Sequence, residues 1–340
     1  MAEPRTRHAT MLDVAERAGV SRSLVSTVFR GVPGASPATR ERVLAAAAEL
    51  GYRPDERARK LRSRDSRLIG VTLTAVHPFH VAVTEALHED ALLGGYELSL
   101  SWTTKSRSLS NAVEALLAQR CAALILIGPE VPDDELARLT GLDREVPTVV
   151  VDRHVDLAEI DALRVDDTAG LRLTVDHLKS LGHSQIHYID GGDFVSAEPR
   201  RSGYVTAMTE AGLADFITIV PSGGTRTDGA ATAERMLKSG PLPTAIIGYN
   251  DQSAFGLLDV LARRGVRVPE DVSVVGFDDV NEAALEHISL TTIEQRADRL
   301  AIAVAQTVLA RIGGADPGGL RLLAPEVLVI RSSTGPPRPA

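Results

Sequence analysis

From Leu68 onward the chain alternates apolar runs of strand length with stretches of helical period, and few folds tolerate that rhythm. LIGVTLT, ELSLSW, AALILIG and PTVVVD read as strands, and helical runs lie around 80–93, 109–120 and 133–140. Near-continuous apolar strands separated by helices predict a parallel sheet covered on both faces. A second set begins near Val165. Helices over 168–181, 198–211, 228–239 and 252–264 separate QIHYID, ITIVP, TAIIGY and VSVVGF, and LTTIEQ, a helix over 297–312 and EVLVIRS follow. Two sets predict two doubly wound parallel-sheet lobes, about 68–164 plus 295–323 and about 165–294 plus 324–334. Ligands of such sheets sit at the carboxyl ends of the strands. GPPRPA at the end reads as a disordered tail.

The first fifty residues follow a different rule. In TMLDVAERAGVSRSLVSTVFRG, residues 10–31, Thr10 and Asp13 have capping-box spacing, Val14, Ala15 and Ala18 share a face, and Gly19 stands where a left-handed residue ends a helix. Ser21 caps a second helix with Leu24, Val25 and Val28 inward. Arg22, Ser23, Ser26, Thr27 and Arg30 are left facing out. Ser36-Pro37 opens a third helix that points Val43, Leu44, Ala47 and Leu50 inward and stops at Gly51. A helix-turn-helix has this layout, with the start of its second helix against base edges in the major groove.

The run LDVAERAGVSRSLVSTVFRG closely resembles the opening of the LacI/GalR family of bacterial transcription regulators. The resemblance implies a small all-α helix-turn-helix headpiece (1–51), a hinge (52–67) and a core of two lobes (68–340) similar to a periplasmic sugar-binding protein. Operator contact is then expected from Arg22, Ser23 and Thr27 on bases and from Thr10, Ser21, Ser26 and Arg30 on the backbone. Arg30 stands where the family usually has asparagine. The segment YRPDERARKLRSRDS carries five arginines and Lys60 and reads by itself as a solvated linker. The resemblance makes it a hinge that folds on operator DNA, with Ala58 and Leu61 in the minor groove and Arg57 and Arg59 on phosphate.

Charge agrees with that division. Net charge is −8 over 340 residues, but residues 1–66 carry +5 and the remainder −13, so only the head suits phosphate. One cysteine, Cys121, excludes an internal disulfide framework, and neither a signal peptide nor a membrane-length apolar run is present. A cytoplasmic location is expected.

Polar residues just past strand ends are the candidates for a cleft. Asp152 and Asp278 read as hydrogen-bond acceptors for vicinal hydroxyls, whereas Asp251 and Asp279 serve equally well as helix caps. The resemblance adds Arg200, from SAEPRRSGY, as the arginine that grips the effector. It adds Asn250 from YNDQSAFG, Asp278 from GFDD and Gln295 from TTIEQ. Where the family often has Asn-Pro-Phe-Phe, this chain has His77-Pro78-Phe79-His80, which puts polar imidazoles at the cleft mouth, with His77 and Phe79 as the expected effector contacts. Trp102, the only tryptophan, fits either a sugar face or the core.

Catalysis finds no support. Gly191-Gly192 lacks nucleotide-loop spacing, His183 and His187 straddle a strand start, and no nucleophile motif occurs. The expectation is a regulator without metal or cofactor that binds a pseudo-palindromic operator as a homodimer, a tetramer being the alternative. Its effector is expected to be a sugar or sugar derivative. A soluble sugar-binding protein without specific DNA binding is the rival reading.

Overall fold

A computed structural model describes residues 9–29, 34–52, 66–74, 77–89, 92–104, 106–141, 146–155, 157, 160–194, 196–315 and 319–338. Arg30 and the hinge residues Arg57, Ala58, Arg59 and Leu61 lie outside them. The chain divides into two compact units, Met1–Ser66 and Arg67–Ala340.

The first unit holds α1 (Met11–Ala18), α2 (Arg22–Phe29) and α3 (Pro37–Glu49). Its ends are set by local chemistry. Thr10 and Asp13 form the full capping box, Gly19 sits at φ 64°, and Ser21 and Ser36 accept from the amides of Leu24 and Thr39. The core is eight small side chains: Val14, Ala15, Ala18, Val25, Val28, Val43, Ala46 and Ala47. Leu44 and Leu50, expected inside, are exposed. Ala46 takes the inward place because 43, 46 and 47 share one stripe of a helix and 44 points off it.

The second unit contains both lobes. In lobe one, β1 (Leu68–Thr74), β2 (Glu97–Thr103), β3 (Ala123–Ile127), β4 (Thr148–Val151), β5 (Asp161–Val165) and β11 (Arg321–Ala324) form a parallel sheet in the order β11-β5-β4-β3-β1-β2. Alternate residues serve opposite faces. Ile69, Val71, Ile125, Val149 and Leu163 pack with α4 (Pro78–Leu87) and α11 (Ala297–Ile312), while Leu124, Leu126 and Val150 pack with α5 (Leu109–Leu117) and α6 (Asp133–Thr140). Strands β5 and β11 are absent from the sequence reading. DALRV and RLLA each carry a charge, and β11 is an edge strand whose Leu323 stays exposed.

In lobe two, β6 (Ile186–Ile189), β7 (Thr218–Val220), β8 (Ala245–Ile247) and β9 (Ser273–Val275) run parallel in the order β7-β6-β8-β9. Helices α7 (Asp167–Ser180) and α8 (Ala197–Glu210) cover one face, and α9 (Arg226–Ser239) and α10 (Asp251–Arg263) the other. The ribbon β10 (Thr292–Glu294) and β12 (Val327–Val329) is antiparallel. The chain passes between lobes at Val165–Asp167, Glu294–Ala297 and Ala324–Val327.

The end of the chain is tied down rather than disordered as far as Arg338. Buried His183 lies 2.8 Å from the Gly335 carbonyl and 2.9 Å from Thr244 Oγ1, the Gly335 amide donates to Ser273 Oγ, and Arg338 pairs with Asp271. A polar tail keeps an ordered path when a buried partner needs its backbone groups.

Candidate functional site: an inter-lobe cleft

At the carboxyl ends of both sheets the two lobes face each other across His77, Phe79, His80, Asp152, Ser196, Arg200, Tyr249, Asn250, Asp278 and Gln295. Seven of the eight effector residues expected from sequence are therefore brought together. Trp102 is not. It lies one residue before the end of the edge strand β2, is 40% exposed and belongs to neither the cleft nor the core. Its place just past apolar residues looked like a sheet end, but an edge strand has an open flank.

Arg200 organises the lobe-two wall. Its guanidinium carbon stands 3.8 Å from the Phe277 ring centroid and 4.9 Å from that of Tyr249. Nε donates to Asp167 Oδ1 at 3.0 Å, Nη1 to the Tyr249 carbonyl at 2.9 Å and Nη2 to Asp278 Oδ1 at 3.5 Å. Burial opposes its charge, but the surrounding Tyr249, Asp278 and Asp167 outweigh that and hold it firmly protonated. For both carboxyls burial is the larger influence and the arginine the smaller, so Asp167 and Asp278 are each pushed up to about 6.

The other groups are fixed by equally specific neighbours. Asp152 and Asp278 both have left-handed backbone, φ 57° and 122°, an uncommon conformation for a non-glycine residue and one associated with functional sites. His80 Nε2 lies 2.9 Å from Asp152 Oδ2, and a side chain on Gly128 would collide with the imidazole. Gln295 Nε2 donates to Asp278 Oδ1 at 2.5 Å. Asn250 caps α10 by accepting from the Ser253 amide while lining the cleft. His77 meets Phe194 edge-on at 5.0 Å, so a lobe-one residue touches lobe two. Phe194 in turn stacks on Tyr249, whose hydroxyl is 2.7 Å from Ser196 Oγ.

Two cleft atoms are buried without a hydrogen-bond partner among the described residues: Gln295 Oε1 and His80 Nδ1. Such atoms carry a cost unless something arrives to satisfy them. The free space between the lining groups is about 10 Å³, too small for any solute, so a ligand requires the lobes to part. Adjoining it, through the residues next to Asp152 and Arg200 and through Glu130 at 3.6 Å from His77, is a vestibule of about 410 Å³ bounded by Glu130, Arg153, His154, Asp193 and Glu198 among others.

Asp251 and Asp279, possible caps by sequence, do other things. Asp251 is fully buried and accepts from Thr292 Oγ1 at 2.6 Å and the Val280 amide at 2.9 Å, and Asp279 pairs with Arg331 at 2.7 Å. Sequence reasoning overlooked Asp167 and Tyr249, and left His80 out of the contact set. It also overlooked Glu326, buried at a lobe crossing against Gly170, with neither oxygen hydrogen-bonded among the described residues. Burial and then Asp167 push the Glu326 carboxyl well up.

In the first unit Arg22, Ser23 and Ser21 are exposed on or beside the start of α2. Thr27 sits one turn on, its hydroxyl donating back to the Ser23 carbonyl at 3.1 Å. Thr10 stands at the start of α1. No described helix is long and apolar enough to cross a membrane, and no cluster of metal-ligating side chains occurs among the described residues.

Comparison with known proteins accounts for both units. Residues 10–55 match the model of bacterial regulatory proteins of the lacI family, and residues 175–334 match the periplasmic binding protein-like domain. The HTH-type transcriptional regulator GalR of Escherichia coli K12 is 33% identical over 307 residues, 89% of each chain. The lac repressor dimer bound to operator and an anti-inducer superposes with a TM-score of 0.84 at 32% identity, covering 97% of this chain and all of that one. The CelR–cellobiose complex gives a TM-score of 0.69 at 27% identity, covering 96% and 99%. These relatives are transcriptional regulators and not enzymes. With a helix-turn-helix head, a two-lobed core and this degree of identity along nearly its whole length, the chain belongs to the LacI family of bacterial DNA-binding transcriptional regulators.

Proposed function

We propose that this regulator is a repressor of sugar-utilisation genes, that it works in the cytoplasm as a homodimer on a pseudo-palindromic operator, and that a sugar-like effector in the cleft sets its operator affinity. The observation that carries the effector half is the pair of buried unsatisfied atoms, Gln295 Oε1 and His80 Nδ1, in a cleft walled by Asp152, Asn250, Arg200 and Asp278. Carboxylates and amides held in this way match the vicinal hydroxyls of a sugar. The CelR complex with cellobiose has the same fold.

On the DNA side, Arg22 is assigned bidentate contact with a guanine, Ser23 and Thr27 weaker base contacts, and Thr10, Ser21 and Ser26 phosphate contacts. Arg30, Arg57, Arg59, Ala58 and Leu61 keep the operator roles implied by their sequence. Leu100 and Trp102, exposed side by side on the edge strand β2, suit a two-fold contact between cores.

An effector acts by binding one lobe arrangement better than another, and shifts operator affinity by no more than that difference. Selection of bound duplexes from a random library, followed by effector titration of the selected site, tests the reading. An enriched palindrome released by a sugar is expected. Ligand binding without any enriched duplex would overturn it and leave a sugar-binding protein.

A further inference from the structure

Resting on the effector reading above, we propose that the cleft takes an uncharged, hydroxyl-rich molecule and rejects its phosphorylated or carboxylated forms. Charge accounting around the cleft leads there. Arg200 already serves Asp167, Asp278 and the Tyr249 carbonyl. His80 is engaged by Asp152, and His77 lies 3.6 Å from Glu130. In the vestibule Arg153 is held by Asp133 at 2.6 Å and donates to the Pro129 carbonyl. Each of these basic groups therefore has its anion or carbonyl.

Beside the neutral amide donors of Asn250, the capacity left over is largely that of acceptors. Gln295 gives one amide N–H to Asp278 and keeps a bare carbonyl oxygen, and Asp152 and Asp278 present carboxylates whose side chains are only 10% and 8% exposed. The vestibule leans the same way, with Glu130 from lobe one and Asp193 and Glu198 from lobe two against Arg153 and His154. A hydroxyl brings the donor that Gln295 Oε1 lacks, and a carboxylate already accepting one bond takes another from it. A phosphate ester brings up to two negative charges and no counter-cation to meet them. Like charges brought together in a dehydrated site are strongly unfavourable.

The consequence is a place in a reaction sequence. Phosphoryl transfer to a hydroxyl of the effector turns a ligand into a non-ligand, so the pool being read is the one that precedes phosphorylation.

The test uses the full chain and calorimetric titration with galactose, glucose, ribose and cellobiose. Each is set against a phosphate monoester of the same sugar, with galacturonate as the carboxylate and inorganic phosphate as a bare anion. The expected result is binding confined to neutral sugars, with any matching ester weaker by about a hundredfold or more. An ester, the uronate or phosphate binding as well as the neutral form overturns the charge rule while leaving the effector cleft standing. Silence from both halves of the panel overturns the charge rule and the sugar reading together, and operator selection then decides separately whether DNA recognition survives.

Discussion

The headpiece and the cleft do their work with opposite kinds of residue. In the headpiece the side chains proposed to meet DNA are exposed or half-buried, and the buried ones are a minimal apolar core. In the cleft the side chains proposed to meet effector include some of the most buried in the molecule: Arg200 is 3% exposed, Gln295 1% and Asn250 4%. A contact made by an exposed arginine is separable from folding. A contact made by a buried, multiply bonded arginine is not, because the same bonds hold the wall in which it sits.

Arg200→Ala is the change that breaks the comparison hardest. It leaves Asp278 buried without its cation and Asp167 with only Arg164, at 3.6 Å, a loss of about 3–5 kcal/mol by the usual cost of orphaning a buried pair. Both core stability, followed by the fluorescence of Trp102, and the effector response are expected to fall together. Operator affinity without effector is expected to survive at temperatures where the core remains folded. A variant that keeps full stability yet loses the response would place Arg200 with the exposed, separable class.

Acidity probes the same wall without a large truncation. Asp167 and Asp278 have folded pKa values of about 6, above the unfolded value near 4. The native state therefore binds more protons between those limits, so their contribution favours folding at low pH and is lost as pH rises through 6. Asp271, lowered to about 2 by Arg267, works in the reverse direction and loses its contribution only as pH falls toward 2. Comparing wild type with Asp278→Asn isolates the cleft: relative to the variant, wild type is expected to gain about 1 kcal/mol between pH 7 and 5. Parallel stability curves would refute the assignment. Effector binding moves the other way, weakening in acid as the acceptors take protons.

Arg22→Ala is expected to cost about 1–3 kcal/mol of operator discrimination at one base position and nothing in core stability or effector affinity. Equal loss on operator and on random duplex would make Arg22 a phosphate contact instead.

The same contrast governed what could be read from the sequence. The headpiece is written in short-range code. Thr10 and Asp13 are three residues apart, Gly19 marks a helix end, and each is found where its chemistry predicts. Strand ends gave Asp152, Asn250 and Asp278 their neighbourhood, because an apolar run closed by a polar residue is also a local signal, whereas Arg200 and Gln295 came only from the family resemblance. What escaped depends on distance along the chain. Asp167 is 33 residues from Arg200, Asp278 is 78 from it, and His80 is 72 from Asp152. Pairings of that span leave no periodic trace, and neither does the burial of Glu326. The misplacing of Trp102 has a related cause, since strand order decides which strand lies at the edge and no spacing encodes it.

The smallest expected effect is also the cleanest separation of the two regions. Gly19 has φ 64°, and a Cβ built there meets nothing within 4 Å. Gly19→Ala therefore changes no contact and adds only the left-handed strain of an L-residue, about 1 kcal/mol, partly offset by a less flexible unfolded chain. In a headpiece with eight small core residues that is a sizeable share of its stability. Amide exchange at Val25 is expected to accelerate by up to about fivefold, while the Trp102 unfolding transition stays where it was. A coincident shift in that transition would mean that the two units unfold as one, and the separation of headpiece from cleft would have to be redrawn.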